Sequence, residues 1–81
     1  MQQEDKTDKA AEELFRLNAV AYGAAAKAAI IRADELAARG EYHAANTAAL
    51  AAARVAHKAA LHYNSAARAA ADTDERGASN G

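Results

Sequence analysis

The sequence predicts an all-α protein, a long antiparallel hairpin of two alanine-rich helices, and three observations carry that expectation. Alanine makes up roughly a third of the chain and has the best intrinsic helix propensity. Proline is absent, so nothing in the chain breaks a helix outright. Arg39-Gly40-Glu41-Tyr42 sets a glycine directly after a basic residue in mid-chain, the signature of a left-handed C-terminal cap.

Taken in order, residues 1–6 read as a frayed N-terminus. The first helix is expected over 8–39, with Thr7 or Asp8 able to cap its first amides and Glu12 and Glu13 suited to the positive end of its dipole. Gly23 is the one weak point, costing about 1 kcal/mol relative to alanine. A lone glycine with no proline or polar cluster beside it rarely ends a helix, so continuity is expected; a break there would give a three-helix bundle instead. The second helix is expected over 41–71, making 7–71 a single helical-hairpin domain. Asp72-Thr73-Asp74 and the glycine-bearing end read as a disordered tail over 72–81.

At 100° per residue, Phe15, Ala19, Tyr22, Ala26, Ala29, Ala33, Leu36 and Ala37 fall on one face of the first helix. The matching seam of the second is read as Tyr42, Ala45, Ala48, Ala49, Ala52, Val55, Ala56, Ala59, Ala60, Tyr63, Ala66, Ala67 and Ala70. A tight turn makes residue i face roughly residue 81 minus i, so large side chains meet small ones and the axes approach at the short end of the usual range. Glu12 and Glu13 would then lie near Arg68, a weakly stabilising pair.

Hydrophobic content is 52% but aromatics are only 5%, so the core of these 81 residues must be thin. Such a chain buries too little surface to be comfortably stable alone. With no cysteine, disulfide staples and thiolate metal sites are excluded, which leaves oligomerisation as the common remedy. Apolar residues left off the seam point the same way: Leu17, Val20 and Ile31 on the first helix, Leu50 and Leu61 on the second. The last two sit in a 4-3-4-3 series, His43, Thr47, Leu50, Arg54, His57, Leu61, Asn64 and Arg68, which is coiled-coil spacing. These five apolar residues form the candidate interface, and dimerisation into a four-helix bundle, or docking on another helical protein, would cover them.

Chemistry finds little to work with. Glu12-Glu13 and Asp34-Glu35 are adjacent in sequence and splay around the helix, whereas general acid-base catalysis needs convergent groups. No metal site can be built from His43, His57 and His62, and no glycine-rich phosphate loop or paired nucleophile and base occurs. Neither catalytic, cofactor nor metal residues are therefore expected. The net charge of −1 argues against general attraction to nucleic acid or anionic lipid. Arg54, Lys58 and Arg68 nonetheless make the second helix locally basic, a candidate anion or nucleic-acid contact with fewer cations than a dense phosphate footprint. The N-terminus lacks a signal-peptide core, and no run nears 18 apolar residues without a charge, so a cytoplasmic location is expected, with no membrane partner.

The turn from Ala33 to Ala45 resembles those of tetratricopeptide repeats and of microtubule-interacting-and-transport domains. In both, a glycine, an aromatic residue two positions later and a small residue three further on close the turn, as Gly40, Tyr42 and Ala45 do here; Ala33, Leu36 and Ala52 also fit. Ala49 stands where a larger residue is usual and His57 where proline often closes the repeat. The match spans about one repeat, whereas a solenoid needs about three. The resemblance implies a peptide- or protein-binding adaptor.

Overall fold

A computed structural model describes the backbone of residues 2–80 and the side chains of residues 9–72. Two helices, α1 (Gln2–Ala38) and α2 (Tyr42–Asn80), fold back on each other as an antiparallel hairpin. Thirty-nine residues at a rise of about 1.5 Å give about 58 Å of helix, which accounts for the 61 Å length of the molecule. α1 runs unbroken through Gly23, so the three-helix alternative does not form.

At their outer ends both helices extend beyond the bounds expected from sequence, α1 starting at Gln2 and α2 running to Asn80, within the segments 1–6 and 72–81 that were read as frayed and disordered. Residues 1 and 81 lie outside the described backbone. Gln2 to Lys6 contain no residue that stops a helix, and Glu4 and Asp5 suit an N-terminus. Near the other end Gly77, with no proline beside it, does not terminate α2.

Gly40 is the hinge on which the hairpin depends. Its φ of 79° lies in the left-handed region, which costs any residue with a Cβ. That geometry lets the Glu41 amide donate to the Leu36 carbonyl and the Gly40 amide to the Ala37 carbonyl, both at 2.9 Å, a Schellman cap that satisfies carbonyls left open at the end of α1. The Glu41 carbonyl in turn accepts from the Ala45 amide at 2.9 Å and starts α2. A 3.0 Å contact between Arg39 Nε and Glu41 Oε2 closes over the turn.

Between the helices runs a heptad seam. All eight seam residues expected on α1 are buried or half-buried, with Ala19 at 0% exposure. On α2 the seam is Ala45, Ala48, Ala52, Val55, Ala59, His62, Ala66 and Ala69, with Ala49 and Ala70 half-buried at its margin. The expected α2 seam was rotated off this line. Tyr42, Ala56, Ala60, Tyr63 and Ala67 are exposed, and His62 and Ala69 take their place.

Facing residues carry numbers adding to about 81, consistent with the inter-helix ring and cation contacts. Phe15 then shares a layer with Ala66, Tyr22 with Ala59, Ala26 with Val55 and Leu36 with Ala45. The layer of Ala19 holds His62, whose ring lies 6.4 Å from that of Phe15 and 5.1 Å from that of Tyr22. Each bulky side chain thus covers an alanine on the opposite helix, and the pair packs closely with little bulk.

Candidate docking surface

In an antiparallel heptad pair the flanks of the seam form two broad faces and the remaining positions form two outer edges. The contacts show which flanks lie together. One broad face carries a shallow groove of about 460 Å³, where Lys27, Ile30 and Ile31 of α1 adjoin Ala49, Ala53 and Ala56 of α2. The other is marked by Lys58, whose Nζ sits 5.9 Å above the centre of the Tyr22 ring.

The groove face is unevenly built. α1 presents Glu13, Arg16, Val20, Gly23, Lys27, Ile30, Asp34 and Ala37 to it at heptad spacing. α2 presents Tyr42, Asn46, Ala49, Ala53, Ala56, Ala60, Tyr63, Ala67 and Ala70, nine successive positions without a charge. Val20, Ile30, Tyr42 and Tyr63 are large apolar or aromatic side chains left exposed on it, Tyr42 at 71% and Tyr63 at 51%.

The five interface residues expected from sequence are all exposed, but they do not share one surface. Val20 lies on the groove face, and Leu17 and Ile31 follow the outer edge of α1, with Ile31 reaching the rim of the groove. Leu50 sits on the outer edge of α2, on the far side of the hairpin. Leu61 turns toward the second broad face, the side of Arg54, Lys58 and Arg68. Sequence reasoning missed Tyr63 as a surface element: it was assigned to the seam, one position from His62, which occupies it.

Electrostatics on the groove face centre on Glu13 and Arg16, paired one turn apart, with Arg16 Nε donating to Glu13 Oε2 at 3.1 Å. Hydrogen bonding to Arg16 holds the Glu13 carboxyl below its ordinary pKa, and the same bond raises Arg16. A carboxylate lowered in the folded state stabilises it above the unfolded pKa and loses that effect as pH falls through the folded one. Glu13 thus pairs within its own helix and not with Arg68, which lies on the other broad face. A second intrahelical pair, Arg32 with Glu35 at 3.9 Å, lies off the groove face.

Arg54, Lys58 and Arg68 are exposed and form no ion pair among the described residues. No group of three or more potential metal ligands comes together among the described residues. Within Lys9–Ala38 one 18-residue stretch is apolar enough to cross a membrane, by length and composition alone. Its alanines and its exposed Leu14, Leu17, Val20, Ile30 and Ile31 produce that character. Compared with known proteins, the chain matches no family model, no curated protein and no solved structure.

Proposed function

We propose that the chain is a non-enzymatic interaction module that self-associates through its groove face, two hairpins completing a four-helix bundle. The observation that carries this reading is the uncharged α2 stripe from Tyr42 to Ala70, exposed except at the half-buried Ala49 and Ala70, beside Val20 and Ile30. Burying such a face supplies the apolar area that one thin seam lacks. In this reading the apolar side of α1 is covered by protein, not by lipid, and the module works in the cytoplasm. The tetratricopeptide-like turn is compatible with a protein-binding role.

Replacing Val20 and Ile30 together with glutamate tests it. Association, followed by sedimentation velocity, should fall at least roughly tenfold while far-UV circular dichroism retains a helical chain, because each glutamate would have to be desolvated at the interface. Leu50→Glu and Leu61→Glu, away from the groove, should assemble as the parent does. If the Val20 and Ile30 variant assembles normally, the assignment of this face fails.

A second reading rests on the other broad face, where Arg54, Lys58 and Arg68 are free of ion pairs among the described residues. They would contact phosphates in a small nucleic-acid-binding regulator. Binding should then weaken steeply with added salt and with alanine at those positions. A gel shift with no complex at low salt removes this alternative.

A further inference from the structure

The groove face carries its charges asymmetrically. Glu13 and Arg16 lie toward one end of its α1 strip, Asp34 toward the other, and Val20 and Ile30 sit between them. Laying a second α1 antiparallel on this strip, with the two-fold axis crossing near Ala25, sets Arg16 opposite Asp34 of the partner subunit, twice. The same placement sets Val20 opposite the partner's Ile30. Sliding the register by one heptad in one direction would bring Arg16 against the partner's Lys27, two like charges, so charge selects the alignment.

The rest of the face fits the same axis. With facing residues adding to about 81 across the seam, an axis near Ala25 crosses α2 near Ala56. Tyr63, exposed in the single hairpin, then falls over the partner's Ala49, and Ala56 over the partner's Ala56. The groove beside Ile30 and Ala49 receives the partner's Val20 and Tyr63, again large against small. In this register residues 12–38 of each α1 overlap, about 40 Å of helix. At 15 Å across, the overlap offers about 600 Å² per partner, roughly the 1,200 Å² total at the lower end of specific interfaces.

Gly23 supplies an independent indication. It lies inside α1 without a positive φ, and a Cβ added there would meet nothing within 4 Å. The single hairpin therefore gives no reason for a residue that weakens a helix. In the dimer Gly23 faces the partner's Lys27, where a missing side chain lets the Lys27 stem lie flat and carry its ammonium out to water.

We propose that the partner is a second copy bound with its turn at the opposite end of the bundle, α1 on α1 and α2 on α2, paired by Arg16 with the partner's Asp34 and closed by Tyr63 and Val20 in the partner's groove. This rests on the self-association proposed above, and the experiment separates the two. The chain has no cysteine, so Ala38→Cys gives one spin label per hairpin, next to the turn. Two labels some 26 residues apart along the bundle should read about 40 Å by pulsed electron resonance, at 1.5 Å per residue.

Arg16→Asp and Asp34→Arg should each weaken dimerisation about tenfold, and the double variant, which restores both pairs with charges exchanged, should recover most of it. A dimer with labels under about 25 Å, as when both turns share one end, overturns this arrangement and leaves self-association standing. A double variant no tighter than the singles overturns it equally. A parent chain that stays monomeric removes both proposals.

Discussion

The imidazole of His62 lies against the Tyr22 ring, with centroids 5.1 Å apart and planes inclined by 36°, while its Nδ1 donates to the Lys58 carbonyl at 2.8 Å. A carbonyl accepts only from a protonated nitrogen, so the bond places the proton on Nδ1. It also holds the ring over Ala19, which is why an alanine is the most deeply buried residue of the hairpin. His62→Ala should open the layer between Phe15 and Tyr22 and cost about 2 kcal/mol, measured by urea unfolding at fixed protein concentration. His62→Leu, which refills the layer, should recover most of that loss. Equal stability of the alanine and parent chains would mean that this layer contributes no packing.

Alanine at the seam sets how near the helices come. Ala52, at 2% exposure, lies where both helices contribute alanine, and Ala52→Leu should force the axes apart and cost about 1–3 kcal/mol by overpacking. Leucine has a high helix propensity, so a loss cannot be blamed on the helix itself. The same substitution at Ala51, exposed one residue away, should change stability by less than about 0.5 kcal/mol in the same urea titration.

Gly40 and Gly23 should respond in opposite ways to alanine. Gly40→Ala imposes a side chain on a φ of 79° and should destabilise the hairpin by about 1–2 kcal/mol in thermal or urea unfolding. Gly40→Asn, which tolerates the left-handed region, should lose less. Gly23→Ala, placed in the Val20→Glu and Ile30→Glu background to keep the chain dissociated, should gain about 0.5–1 kcal/mol because nothing crowds the new methyl.

How much of this was legible in the sequence differs between the helices. On α1, Phe15, Tyr22 and Leu36 are bulky markers among alanines, and they phase the wheel well enough that every expected seam residue is at least half-buried. On α2, alanine occupies most positions from Ala44 to Ala60, and a wheel made almost wholly of alanine has no contrast to phase it. Tyr63 was therefore placed in the seam in preference to His62, although a histidine between two aromatic rings with a backbone acceptor in reach is well accommodated. The five apolar residues grouped as one interface scattered for a related reason. Spacing along one helix says which residues share a stripe, whereas the packing of the two helices decides which stripes share a face.

The central claim is that one hairpin is half of a stable fold. Sedimentation equilibrium of the parent chain at micromolar concentration tests it most directly. The claim predicts a helical species of about 17 kDa, twice the 8.4 kDa of one chain, in a dimer burying a standard interface. A folded, helical 8.4 kDa monomer across that range would contradict it.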